Sequence, residues 1–294
     1  MHRSTERGVA LVAVTMAVAV LSAVGLGMAV TAATGDRLAT NALAVVQAEA
    51  LARSGVAGAR AALVDASGVE AVDTLEAPWL RALPPQALGA GLIQVEVEDE
   101  ARRLDPNLVP DALPRLLARL GLDPLLADAL LDWSDADDVA RPHGAEHRWY
   151  ERQRPPREPA NRPLATVGEL LLVRGIDARV LEQLRPFVTT AGEDGVNPNT
   201  ASPTVMLAVW PEPSRVGELV AMRQRGPVEC SDLPHCTTRS AAYTVRATGR
   251  VGTVARTAEA VVRVLSGFDA EVTSWRWTTP GERRPLGVAS PSSH

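Results

Sequence analysis

The chain has 294 residues and a formal net charge of −5 at pH 7, which allows one large domain or two modest ones. Aromatic residues make up only 3% of it, so its cores must be built mainly from Ala, Val and Leu. The mildly negative charge argues against a general nucleic-acid binder, because such proteins carry a strong basic excess.

The first element is a short, mostly basic leader, residues 1–8, that runs directly into an apolar stretch. No charged residue occurs from Val9 to Thr34, which is long enough to cross a bilayer as a helix of ~20 residues. A cleaved secretory signal has an apolar region of only ~7–15 residues followed by small residues. Because "VTAA" at residues 30–33 offers such a site, that alternative stays open at this point.

The helical pattern does not stop at the end of the apolar stretch. Apolar residues continue with the three-to-four-residue period of a helix at Leu38, Ala42, Val45, Val46, Leu51, Val56, Ala59 and Leu63. We therefore predict one unbroken helix from Val9 to about Asp65, roughly 85 Å long at ~1.5 Å per residue. Its first half is lipid-soluble and its second half is amphipathic.

A strand and several short helices are predicted beyond the long helix. Residues 91–97 alternate between apolar and polar, which indicates a half-buried strand, and the pattern breaks at Asp105-Pro106. Leucine-rich segments then predict helices that start near Asp111 and Asp123. Residues 132–150 form an acidic loop broken by Pro and Gly. Two further helices meet at Gly175, and a last helix is expected to be capped by Asn199 or Thr200.

The C-terminal part returns to strands. Segments 241–251, 259–267 and 270–280 alternate or are rich in β-branched residues. Together with the strand near Val95 they predict an antiparallel sheet packed against the exposed half of the long helix, which is an α+β architecture. The polar, Pro/Ser-rich tail after Pro280 is expected to be disordered.

The acidic loop is a candidate metal site. It concentrates five carboxylates in a short segment: Asp132, Asp135, Asp137, Asp138 and Glu146. Calcium prefers about 6–8 oxygen ligands in such sites, and dense carboxylates repel one another without a counter-ion. The ordered spacing of an EF-hand is absent. The spacing alone supports a solvated acidic loop and a calcium site equally.

Two other kinds of chemistry are suggested by short motifs. His143, Glu146 and His147 match the H-x-x-E-H pattern of zinc proteases, but Pro142 and Gly144 argue against the helix that this pattern needs. A secreted zinc hydrolase is therefore a weaker alternative.

The segment "VNPNTASP" at residues 196–203 is similar to the start of a helix-hairpin-helix DNA-binding motif. "WPEPS" stands where the phosphate-binding hairpin would need glycines, and the net charge disfavours phosphate binding. We therefore expect a structural helical fold and no nucleic-acid partner, and a helix-hairpin-helix DNA-binding membrane protein is a weaker alternative.

Cys230 and Cys236 are the two cysteines of the chain. A redox pair is more often spaced C-x-x-C. With a membrane-targeted N-terminus, a small structural disulfide outside the cytoplasm is favoured.

The N-terminal segment resembles the type IV pilin-like proteins. In that family a prepilin peptidase cuts after a Gly that ends a basic leader, here Gly8, so that Val9 becomes the first residue and is methylated. Most members carry Glu at the fifth mature position, where this chain has Ala13. A missing Glu is typical of the K-type minor pseudopilin of type II secretion systems, which occupies the tip of the filament.

The middle of the chain is also similar to the K-type pseudopilins. The motifs occur in the family's order: LDPN, ALLDWSDADD, RPHGAEH, NRPLATVGEL, VRGI and VNPNTASP. His143 and His147 depart from the family pattern. The resemblance implies structural calcium and a pilin-like fold with a large inserted all-helical domain. The implied domains are a leader (1–8), the long helix (9–65), the first part of the head (66–104), the insert (105–225), the second part of the head (226–279) and a tail (280–294).

The resemblance also implies a function, a location and partners. The chain would be a non-enzymatic tip subunit of the type II secretion pseudopilus, which initiates and caps the filament during protein export. It would cross the inner membrane once, with its head in the periplasm. Its partners would be the I- and J-type minor pseudopilins, the major pseudopilin, the prepilin peptidase and the inner-membrane assembly platform.

Overall fold

The computed structural model describes residues 3–67, 72–80, 84–192, 195–266 and 269–278. Its first element is a single helix, α1, that runs without interruption from Arg3 to Ser67. Side chains from Val14 to Val30 are largely exposed. Further along, Ala52, Val56, Ala59 and Leu63 recur at helical spacing and are buried. The predicted long helix with an apolar first half and an amphipathic second half is confirmed.

A five-stranded antiparallel sheet packs against the second half of α1. The strands are β1 (Gln86–Leu88), β2 (Gly91–Asp99), β3 (Ala242–Val251), β4 (Val254–Ser266) and β5 (Asp269–Thr278), and they lie side by side in that order. The core between helix and sheet consists of Ala, Val, Leu and Tyr243. This arrangement confirms the predicted α+β class, and it adds β1, a short exposed edge strand that the sequence pattern did not reveal.

Glycines allow α1 to lie very close to the sheet. A Cβ atom on Gly249 of β3 would come within 2.1 Å of the Ala48 carbonyl oxygen and 2.9 Å of the Ala52 amide nitrogen. On the opposite side of the interface, a Cβ on Gly55 would lie 2.8 Å from the Cβ of Ala247. Both glycines therefore set the helix–sheet distance by having no side chain.

The chain leaves the sheet after β2 and returns at β3, and residues 100–241 between them form the helical insert. Its helices are α2 (Leu113–Arg119), α3 (Leu126–Ser134), α4 (His147–Tyr150), α5 (Ala178–Leu184), α6 (Pro203–Val209) and α7 (Pro213–Arg223). They surround a separate, largely aliphatic core. That core includes Leu104 and Val228, and Leu233 and Cys236 pack against it, so the insert extends beyond the predicted bounds 105–225 at both ends.

The predicted start of α6 is wrong. Ser202, rather than Asn199 or Thr200, is the N-cap, and its hydroxyl accepts a hydrogen bond from the Val205 amide at 3.3 Å. Pro203 fits the first helical position, because it has no N–H group to satisfy there. Asn199 and Thr200 are buried and bond elsewhere: the Asn199 side chain donates to the Val228 carbonyl, and the Thr200 hydroxyl donates to Asp99.

Two buried aspartates join the insert to the sheet. Asp99, at the end of β2, accepts hydrogen bonds from the Thr200 hydroxyl at 2.6 Å and the Asn197 amide at 3.1 Å. Asp73 accepts from the Tyr243 hydroxyl and the Ser240 amide at 2.8 and 2.7 Å. Burial, together with the nearby charge of Asp73, raises the pKa of Asp99 to about 6.

A buried arginine lies at the same joint. Arg103 is 3% exposed and forms ion pairs with Glu98 and Glu100. Glu100 also accepts hydrogen bonds from the hydroxyls of Thr189 in the insert and Thr244 in β3. The network therefore contains charged groups from both the sheet and the insert. Because these groups are largely buried away from water, each is stabilised by its partners.

Candidate metal site and membrane helix

Three acidic side chains from both ends of one loop meet in the insert. Asp132 lies in the last turn of α3, Asp135 directly follows that helix, and Glu146 precedes α4. One carboxylate oxygen from each lies within 4.8 Å of the others. We call these three residues the acidic cluster. Two packed helix ends therefore hold three carboxyl groups at one place.

Arg141, from the loop itself, contacts two members of the acidic cluster. Its Nη1 atom donates to Asp132 Oδ1 at 2.6 Å and to Asp135 Oδ2 at 2.5 Å. Its backbone amide also donates to Asp132 Oδ2 at 3.1 Å. The loop thus folds back over the end of α3.

Glu146 differs from the two aspartates of the cluster in its surroundings. The residue is 4% exposed, and neither of its carboxylate oxygens has a hydrogen-bond partner among the described residues. Burial raises the pKa of Glu146 to about 7, and the charges of Asp132 and Asp135 add to the effect. Asp135 Oδ1 is also buried without a partner among the described residues. Unpaired buried carboxylates are costly, so this donor set fits a hard divalent cation.

The wall of the site depends on a glycine and a second arginine. A Cβ on Gly144 would lie 1.8 Å from Asp132 Oδ2, so a larger residue would displace the carboxylate. Arg174 Nη1 donates to the Gly144 carbonyl at 2.7 Å, and its guanidinium lies 5.5 Å from the Trp149 ring. Arg141, Gly144 and Arg174 were not predicted from the sequence, because their roles depend on contacts that the loop spacing does not show.

The other predicted acidic ligands lie outside the cluster. Asp137 is exposed, and its carboxylate accepts from the Val139 amide at 2.8 Å. Asp138 is also exposed and accepts from the His147 amide at 3.2 Å. The structure therefore brings together three of the five predicted carboxylates.

The two histidines do not join Glu146 in a zinc-like arrangement. His143 is exposed, and its Nδ1 atom lies 3.6 Å from Asp128. Helix α4 begins at His147, so the two histidines do not share a helical turn as the zinc-protease pattern requires. The zinc hydrolase alternative therefore loses its geometric basis.

Cys230 and Cys236 form a disulfide in the structure, with their sulfur atoms 2.15 Å apart. The loop that they close lies in the segment between α7 and β3, and it pairs with Val196, which precedes α6. The Val196 amide donates to the His235 carbonyl at 2.8 Å, and the Thr237 amide donates to the Val196 carbonyl at 3.2 Å. The bonded state of the pair in isolated protein stays a prediction, which non-reducing peptide mapping would test.

Among the described residues, α1 is the one helix that is long and apolar enough to cross a membrane. Gly8, Val9 and Ala13 lie within α1, at positions whose side chains the structure does not describe. The expected disordered tail after Pro280 lies outside the described residues.

Comparison with known proteins identifies the family. Residues 92–193 match the family model of type II secretion system protein K. Type II secretion system protein K of Pseudomonas aeruginosa is 33% identical over 254 residues, which cover 78% of this chain and 76% of the relative. The Klebsiella pneumoniae protein of the same name is 38% identical over 106 residues, which cover 33% of this chain and 32% of the relative.

A solved structure has the same fold. It is the crystal structure of the GspK-GspI-GspJ complex from the enterotoxigenic Escherichia coli type 2 secretion system, which matches with a TM-score of 0.65 at 21% identity. The match covers 77% of this chain and 94% of that chain. From the extent of the sequence match, the chain belongs to the type II secretion system protein K family, the K-type minor pseudopilins.

Proposed function

We propose that the protein is the tip subunit of a type II secretion pseudopilus and that it initiates and caps the filament without enzymatic activity. The observation that carries this proposal is the helical insert between β2 and β3, which gives a pilin-like head a second packed unit. The structural neighbour was solved as a GspK-GspI-GspJ complex, which supports I- and J-type minor pseudopilins as partners of this chain as well.

The shape of the molecule suggests how it would act. The apolar half of α1 has exposed side chains at Leu21, Leu26 and Met28, which would be buried by lipid before assembly and by neighbouring helices in the filament. The wide head would fit at the end of a filament but would not repeat along its shaft. The major pseudopilin, the prepilin peptidase and the inner-membrane assembly platform would complete the set of partners.

The orientation in the membrane follows from the same helix. With α1 crossing the inner membrane, the head would lie in the periplasm, where a disulfide such as Cys230–Cys236 persists. The absence of a carboxylate at Ala13 would leave the protein unable to neutralise the N-terminal amine of a subunit above it. An unpaired charge within the membrane is costly, so this difference would favour the terminal position.

Processing after Gly8 provides a test of the pilin-like assembly route. We expect mass spectrometry of protein extracted from membranes to find Val9 as the first residue, carrying a methyl group. The reason is the basic leader that ends in Gly8 directly before the helix. A mature protein that begins near Thr34 would instead show cleavage of a secretory signal and would contradict the proposed filament anchor.

We further propose that the acidic cluster binds calcium. Asp132, Asp135 and Glu146 would hold the ion, whose charge would offset theirs and stabilise the loop between α3 and α4. What supports this proposal is the buried carboxylate of Glu146, which has no hydrogen-bond partner among the described residues. Asp137 and Asp138, which bond backbone amides, are proposed as contributors to the local negative charge.

Calcium should raise the melting temperature of the protein, and the gain should depend on pH. A ligand that binds only the folded state stabilises it by about 2.7 kcal/mol at a hundredfold excess over its Kd. Because the pKa of Glu146 is raised to about 7, protons compete with calcium, and the affinity should fall by about tenfold or more from pH 8 to pH 5.5. Scanning calorimetry at the two pH values, with calcium or chelator, measures the effect.

Without metal, the dependence of folding stability on pH has the opposite sign. A raised carboxyl pKa means that the folded state binds more protons between pH 4.5, the ordinary value for Glu, and pH 7, so the metal-free protein should become less stable as pH rises through this range. Glu146→Gln should abolish most of the calcium gain, whereas the control Asp137→Asn should keep most of it. A calcium gain that survives in Glu146→Gln would contradict this site.

A further inference from the structure

The position of Arg141 has a consequence for the affinity of the acidic cluster, and this inference rests on the proposed calcium site. One nitrogen atom, Nη1, lies 2.6 Å from Asp132 Oδ1 and 2.5 Å from Asp135 Oδ2. Calcium lies about 2.3–2.6 Å from its oxygen ligands. The guanidinium thus contacts the same two carboxylates that a bound cation would need.

Arg141 is nevertheless an incomplete substitute for a metal ion. It pairs with the two aspartates, while both oxygens of Glu146 and the Oδ1 atom of Asp135 remain buried without a partner among the described residues. A guanidinium donates along the fixed directions of its planar N–H groups. A divalent cation can be coordinated by oxygen atoms from many directions, and it would therefore bind all three carboxylates together.

Arg141 also has a route out of the cluster. Its side chain is 36% exposed, whereas that of Asp132 is fully buried. The guanidinium can therefore turn into solvent without crossing the core of the insert. A guanidinium remains charged at any physiological pH, so Arg141 presents a permanent positive charge to the two aspartates.

We propose that Arg141 is a tethered counter-ion that competes with calcium for Asp132 and Asp135. It keeps the acidic cluster closed in the absence of calcium, and it lowers the affinity of the site for the ion. The consequence is a site that fills only where calcium is abundant, as the affinities of extracellular calcium modules, about 10⁻⁴–10⁻³ M, illustrate.

The test is a calcium titration of the full-length protein in detergent, by calorimetry and by the fluorescence of the tryptophans near the site. Arg141→Gln removes the charge while it keeps a polar side chain of similar length. We expect it to bind calcium about tenfold more tightly than the wild type, because a nearby positive charge opposes the ion. Arg162→Gln is the matched control: Arg162 pairs with Glu169 at 2.8 Å, and its loss should leave calcium binding unchanged.

Arg141→Lys keeps the charge and guards against a folding defect in Arg141→Gln. It should bind calcium within about threefold of the wild type, because a Lys ammonium is still a competing cation. Equal or weaker binding in Arg141→Gln would overturn the competitor role while the wild-type titration still established the metal site. If neither the wild type nor Arg141→Gln binds calcium, both the metal site and the competitor role are wrong.

Discussion

Gly249→Val is expected to destabilise the head by about 3 kcal/mol, because a side chain forced into a packed interface must push the backbone apart. The atoms that the new Cβ would meet include the Ala48 carbonyl oxygen at 2.1 Å and the Ala52 nitrogen at 2.9 Å. Both belong to the backbone of α1 and cannot turn away. The helix would have to lift from β3, and the small-residue packing of the sheet core would be lost with it.

Thermal unfolding followed by circular dichroism measures this effect. For a domain of this size we expect the melting temperature to fall by about 6 °C or more, at about 2–4 °C per kcal/mol. Gly58→Ala is the control on the same helix, because a Cβ there meets nothing within 4 Å. It should be neutral or stabilising, since Ala favours a helix by about 1 kcal/mol over Gly. Equal melting of Gly249→Val and the wild type would show that α1 does not lie this close to the sheet.

Arg103→Met is expected to cost about 3–5 kcal/mol, since it leaves buried carboxylates without their counter-charge. Arg103 is 3% exposed and Glu100 is 4% exposed. Although burial acts to raise it, the charge of Arg103 and the hydroxyls of Thr189 and Thr244 hold the pKa of Glu100 below its ordinary value of 4.5. Without Arg103 the effect of burial would dominate, and the pKa of Glu100 would rise.

Urea unfolding at two pH values distinguishes this cause from a simple loss of packing. The folded-state pKa of Glu100 should rise in Arg103→Met, so the deficit should be largest at pH 7.5 and smaller near pH 4.5, where Glu100 becomes protonated. Arg162→Met removes an exposed arginine that pairs with Glu169 and should change the stability little, because solvent screens exposed ion pairs. A deficit that does not change with pH would mean that charge is not the reason for it.

The elements with strong periodicity were predictable from the sequence. The long helix, β2 and the three C-terminal strands follow from helical spacing and from alternation, which survive in a single sequence because each element buries one face. The packing of α1 against the sheet was predictable from the same buried faces. The edge strand Gln86–Leu88 was not predicted, because three residues are too short for a period to appear.

The details that depend on distant contacts were not predictable. Asn199 and Thr200 are residue types that often cap helices. Their side chains instead form long-range hydrogen bonds to Val228 and Asp99. Ser202 therefore caps α6. The three carboxylates of the acidic cluster belonged to the predicted set. The packing of α3 and α4 decides which of the five predicted carboxylates meet. The same packing brings Arg141 to them.

Immunogold labelling of sheared pseudopili tests the central proposal most directly, for the wild type and for Ala13→Glu. Label at one end of each filament is the predicted result for both proteins, because the helical insert makes the head too wide to repeat along the shaft. Label along the shaft only in Ala13→Glu would show that the missing carboxylate, and not the width of the head, keeps the protein at the end. Label spaced along the shaft of wild-type filaments would contradict the tip assignment.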